Sequence, residues 1–111
     1  MKPKELNICG VTYRIEYCDN PSDVDIHKRE ACWGQVDYWT QSIRVYDKGL
    51  NAESIWNTIL HEILHVIGYS LKLDILDFGK GENEIKHNEL DVLARTLVDT
   101  FIRNGLLVVR E

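Results

Sequence analysis

The sequence has little of what would staple a chain covalently or seat it in a bilayer. Its three cysteines, Cys9, Cys18 and Cys32, are an odd set without CxxC spacing. That excludes the even-numbered disulfide framework of a small secreted protein. No run of 18 apolar residues occurs, and the opening "MKPKELNICG" lacks the apolar stretch of a leader, so neither a membrane span nor a signal peptide is expected. Repeats, low-complexity tracts and linkers are absent too. Basic residues are dispersed: 13 Lys and Arg stand against 18 Asp and Glu, for a formal net charge of −5. Without clustered cations there is no surface to neutralise phosphates, and nucleic-acid binding is excluded as a leading function. The expectation is a soluble, cytoplasmic protein with free thiols that engages neither nucleic acid nor membrane.

What is present suits one globular domain over residues 1–111. The chain has 111 residues, 44% of them apolar, enough to bury a core without staples. In "LNICGVTYRIEY" apolar residues alternate on both sides of Gly10, which predicts two short strands or one bent strand. "CDNPSDVDIHKRE" opens on the turn signal Asn20-Pro21 and reads as a loop or short helix, with His27 on its surface. A hairpin is expected from Trp33 to Tyr46, turning near Thr40. The clearest helix is "NAESIWNTILHEILHVIGY", capped by Asn51 or Ser54 and ended by Gly68. A second helix runs from about Glu84 to Asn104, with an apolar stripe of Leu90, Leu93, Ala94, Leu97, Val98, Phe101 and Ile102. The closing "LLVV" reads as a short strand or packed tail. Strands first and helices after predict an α+β fold: a small, mostly antiparallel sheet of about three to four strands with the two helices packed on it.

The first helix carries "HEILH". His61 and His65 are four apart, about 40° around a helix, so they project side by side one turn apart. Two imidazoles in that relation can share one zinc ion at about 2.0–2.1 Å. Trp56, Ile59, Leu60, Ile63, Leu64 and Ile67 fall on the other side. Glu62 sits at the margin of the polar edge, where its carboxylate is placed to take a proton from water activated by zinc. A purely structural zinc site needs no such base.

The third ligand is less direct. Leu71 stands six residues past His65, where metzincins place a third histidine. Their methionine turn is also impossible, because Met1 is the sole methionine. Leu71 equally fails the H-x3-H-x5-H spacing of one group of metal-dependent endoribonucleases. Asp74 is one candidate. A carboxylate or histidine from the second helix is the other source, and Glu84, His87, Glu89 and Asp91 are all available there.

With its HExxH helix followed by Asn88-Glu89 on a second helix, the chain resembles a very small gluzincin of the zincin clan, the minigluzincin type. It is similar also to small phage- and prokaryote-encoded HExxH domains. In thermolysin-like gluzincins the asparagine–glutamate pair opens a "glutamate helix". The resemblance therefore implies a zinc metallopeptidase, a hydrolase with His61, His65 and Glu89 as metal ligands and Glu62 as general base. The serine–aspartate that often follows is replaced here by Val92 and Leu93. The resemblance further implies that an extended peptide or protein substrate pairs with the edge of the Trp33–Tyr46 hairpin. Tyr38, Trp39 and Tyr46 are candidates for lining the cleft or for packing the sheet. Tyr69 is a candidate oxyanion donor or a packed aromatic at the helix end. Against an enzyme stands the short chain, which leaves no room for a second cleft wall. The alternative is a zincin-like module, catalytically weak or silent, that binds a protein partner. Oligomeric state is not encoded in any of these features.

Overall fold

The computed structural model describes residues 2–25, 32–73 and 84–108, with side chains on the last stretch from residue 89 onward. Along the chain run β1 (Glu5–Ile8), β2 (Val11–Cys18), a 3-10 turn (Pro21–Asp23), β3 (Gly34–Asp37), β4 (Ser42–Tyr46), α1 (Ala52–Leu71) and α2 (Glu84–Arg103). The fold is α+β, with one four-stranded sheet in the order β1-β2-β4-β3. β1 pairs with β2 and β3 with β4, both antiparallel; the central β2–β4 pair is parallel. The strand after the 3-10 turn therefore forms an edge, and its hairpin partner inserts beside β2.

Both hairpins have local causes. Ile8 opposes Val11 across a two-residue turn in which Cys9 (φ 53°) and Gly10 (φ 84°) both have positive φ. That is the backbone sense that matches strand twist in two-residue hairpins. The Asn7 side chain accepts from the Gly10 N–H at 3.1 Å. At the β3–β4 turn, the Asp37 carboxylate accepts from the N–H groups of Trp39 (3.0 Å) and Thr40 (3.4 Å), as aspartate does in turns.

Asn51 caps α1: its side chain accepts from the Ser54 N–H at 2.8 Å. The expected stop at Gly68 is corrected. The helix continues to Leu71, Lys72 takes the left-handed conformation (φ 54°), and its N–H returns to the Gly68 carbonyl. A glycine permits a stop without imposing one, because its cost inside a helix is only about 1 kcal/mol. At the end of α2, Gly105 (φ 71°) donates to Ile102 at 3.1 Å and Leu106 donates to Phe101 at 2.8 Å. This is a Schellman closure. Beyond it "LLVV" forms no strand among the described residues, and Leu106 and Val108 are exposed.

α1 lies between the sheet and α2. Ile55, Ile59 and Val66 join Ile8, Tyr13, Ile15, Ile43 and Val45 in the main core. On its other side, Leu64 and Leu60 pack against Leu90 and Ala94 of α2. Both helices were expected on the sheet; α2 instead packs chiefly on α1. Both sides of α1 being apolar explains this, since a helix with two such sides needs a cover on each. Leu90, Ala94 and Val98 are the buried residues of the predicted α2 stripe, while Leu93 at its margin is exposed.

Asn51→Ala should destabilise the fold by about 1 kcal/mol, and Asn51→Ser should leave it nearly unchanged, as expected for loss and retention of a helix cap. Urea unfolding of the three proteins measures the difference.

Candidate active site

Two buried sides leave α1 one strip for polar groups, and that strip holds Ser54, Asn57, Thr58, His61, Glu62 and His65. They line a cleft of about 570 Å³ whose other walls are the edge strand β3 with its flanking residues, and Asp91 and Arg95 of α2. His61 and Glu62 are nevertheless buried, at 9% and 6% exposure.

The two histidines meet as their spacing predicts. Their Nε2 atoms are 3.1 Å apart. Two nitrogen donors on one tetrahedral ion at about 2.0–2.1 Å are themselves roughly 3.3 Å apart, so the pair has the separation that a shared zinc requires. His61 Nδ1 lies 3.3 Å from Asp91 Oδ1. An ionised carboxylate can only accept, so in neutral His61 this contact puts the proton on Nδ1 and leaves Nε2 as the nitrogen without one. Arg95 Nε donates to the other Asp91 oxygen at 2.8 Å. Burial works against charge on Asp91, but the Arg95 guanidinium and His61 hold its carboxyl below the usual range.

Glu62 is differently placed. Burial pushes its carboxyl up to about 8, so without a cation beside it the group holds a proton at neutral pH. It sits directly under β3. A Cβ added to Gly34 would lie 2.8 Å from Glu62 Oε2 and 2.7 Å from Thr58 Cγ2. Only glycine lets the edge strand approach the helix this closely without a shift.

The expected ligand Glu89 is not brought to the pair: its side chain is exposed on α2. The reason is helical phase. Residues 89 and 91 are about 200° apart around a helix, and Leu90, Ala94 and Val98 fix the buried side so that residue 91, not 89, faces α1. Among the described residues no third histidine, cysteine or carboxylate completes a metal-holding group. Asp74 and His27, and the side chains of Glu84 and His87, lie outside the described residues. The backbone of α2 does put positions 84, 87 and 91 on one face, at i, i+3 and i+7.

The aromatics divide. Tyr38 lines the cleft, and its hydroxyl donates to the His65 carbonyl at 3.3 Å. Tyr69 is the packed aromatic of its two alternatives: it stacks on Tyr38 at 4.0 Å and 19°, outside the lining. Trp39 is 95% exposed at the hairpin tip. Tyr46 packs edge-on against Trp33 at 5.9 Å, and Trp33 reaches the cleft.

The residues not foreseen are Gly34 as the close-approach position, Asp91 as the partner of His61 rather than a ligand, and Arg95 on the rim. For the last two a signal existed: once Leu90, Ala94 and Val98 define the inner side, Asp91 and Arg95 flank it at i and i+4. Nothing in the local sequence marks Gly34. No family model, curated protein or solved structure matches the chain.

Two outcomes follow from this geometry. Gly34→Ala should cost about 1–3 kcal/mol in urea unfolding, because the new methyl meets the stiff Thr58 side chain and the Glu62 carboxylate. In chelator-treated protein, stability should fall as pH rises from about 4.5, the ordinary value, through about 8, the folded value. The folded state binds the Glu62 proton more tightly than the unfolded state in that window. Glu62→Gln should flatten the dependence, with a difference on the order of a few kcal/mol between pH 5 and pH 9. Parallel curves for the two proteins would show that Glu62 does not titrate this way.

Proposed function

We propose that the chain is a zinc-dependent metallopeptidase, similar in its site to small gluzincins, which hydrolyses peptide bonds in a peptide or protein substrate. The observation that carries this reading is the convergence of His61 and His65 Nε2 at 3.1 Å, with Asp91 on the back of His61 and buried Glu62 in the same cleft. A structural site would use the histidines but has no need of a buried carboxylate that opens onto them.

His61 and His65 would hold the metal, and two imidazoles with carboxylate support suit zinc. Asp91 would act through His61, fixing its tautomer and raising its basicity, as carboxylates behind metal-binding histidines do. The third ligand is assigned to the α2 face that carries Asp91, with His87, one turn before Asp91, as the expected residue and Glu84 as its rival. Glu89 is on the wrong side of α2 for this role. Zinc, when bound, supplies a Lewis acid for the scissile carbonyl and makes water acidic near neutral pH. Beside a bound cation Glu62 would ionise instead of holding the proton that burial favours. Ionised Glu62 would take a proton from water as the oxygen attacks the carbonyl carbon, then pass it to the nitrogen as the C–N bond breaks. The strand β3 is an edge of the described sheet and forms one wall of the cleft, so an extended substrate would lie along it. A cytoplasmic setting is supported by the free thiols of Cys9, Cys18 and Cys32. No helix among the described residues is long and apolar enough to cross a membrane.

Elemental analysis should find about one zinc per chain, lost in His61→Ala and His65→Ala. Asp91→Asn should weaken zinc binding by about 10–100-fold. His87→Ala should abolish tight binding while Glu89→Ala leaves it intact; the reverse result would return the third ligand to Glu89. Glu62→Gln should keep zinc and lose at least about 100-fold in the rate of chelator-sensitive peptide cleavage. Zinc content unchanged by either histidine substitution, or equal cleavage by wild type and Glu62→Gln, would overturn the assignment.

A further inference from the structure

Arg95 is the only lysine or arginine among the described residues that line the cleft. A charged pair at i, i+4 on a helix surface is ordinarily a solvated contact of little consequence. The same helix provides the comparison. Arg103 donates through Nε to Asp99 at 2.8 Å, the same contact that Arg95 makes with Asp91. Arg103 is away from the cleft; Arg95 is on its rim.

The Asp91 contact takes only the Nε edge of Arg95. Arginine has five N–H donors in a planar fork, so its terminal amino groups remain for another acceptor. Asp91 is itself engaged by His61, so the contact places the guanidinium at the mouth of the cleft. Its planar fork matches a carboxylate. A carboxylate for Arg95 is found on a peptide, at its C-terminus or on an acidic side chain.

We propose that Arg95 is a specificity-determining residue that selects peptides carrying a carboxylate near the bond held in the cleft. The inference rests on the cleft being a peptide site, as proposed above, but it does not depend on zinc or on cleavage. The carboxylate can be a free C-terminus or an acidic side chain, and the two sources are separable.

The probes are three short peptides of one sequence: one with a free C-terminus, one with a C-terminal amide, and one amidated with a glutamate at the last position. Their affinities for the full chain are measured by NMR titration, with and without a zinc chelator. The free acid or the amidated glutamate peptide should bind at least about tenfold tighter than the plain amide, and whichever is preferred identifies the source. That preference should disappear in Arg95→Gln and persist in Arg103→Gln. Arg95 is 59% exposed on its side chain, so its substitution should not unfold the chain. A preference that persists in the chelated protein belongs to Arg95, whereas one lost with the metal overturns the proposal. Equal affinity for the three peptides, or no saturable binding, overturns it as well. Because zinc content and cleavage are not read here, a carboxylate preference in a protein that binds no zinc would sink the metallopeptidase reading and leave this one standing.

Discussion

The structure depends on burying α1 from two directions at once. Ile55, Ile59 and Val66 pack into the sheet core, and Leu60 and Leu64 pack against α2. In a chain of this length one helix thus joins both hydrophobic clusters, and its orientation is set by burial on each side. The strip left over is narrow, and it is where His61, Glu62 and His65 emerge. Rigid flanks matter for a site of this kind, because ligands held by packed elements keep their geometry better than ligands on loops. The same two-sided burial produces the high pKa of Glu62, since the carboxylate is desolvated by the strand above it and the helix that carries it.

Two further contacts turn that strip into a cleft. Gly34 allows β3 to lie against Thr58 and Glu62, so an edge strand of the described sheet borders the histidines. From the opposite side, α2 brings Asp91 to the back of His61 and Arg95 to the rim. The chain Arg95–Asp91–His61 ties α2 to the site electrostatically, while Leu90 and Ala94 tie it by apolar packing. Asp91 is only part-exposed and joins two partners, which is why it differs from the surface pair of Asp99 and Arg103 on the same helix.

Much of this was legible in the residues. Alternation around Gly10, the turn between Tyr38 and Gln41, and the periodicities of both helices are local properties, and they appear as expected. So does the pairing of His61 with His65, which needs nothing but helical spacing. Local signals do not decide where they compete. Glycine favours helix ends, but Gly68 occupies a buried interior position of α1. The phase of α2 is set by Leu90, Ala94 and Val98 seeking burial against α1, which leaves Glu89 exposed. Of the two roles open to Tyr69, the packed aromatic is the one observed, stacked on Tyr38.

By itself, the sequence determined the α+β class, the turn of the second hairpin, and the helix on which two histidines and a glutamate share an edge. Each follows from spacing within one element, where periods of about two and 3.6 residues decide which side chains are neighbours. Only the tertiary structure decided that β4 lies parallel to β2 with β3 at the edge, that α2 covers α1 rather than the sheet, and that Asp91 instead of Glu89 reaches His61. Those are contacts between elements distant in sequence. They are chosen by how apolar faces fit together and by which position, such as Gly34, lets two backbones come close.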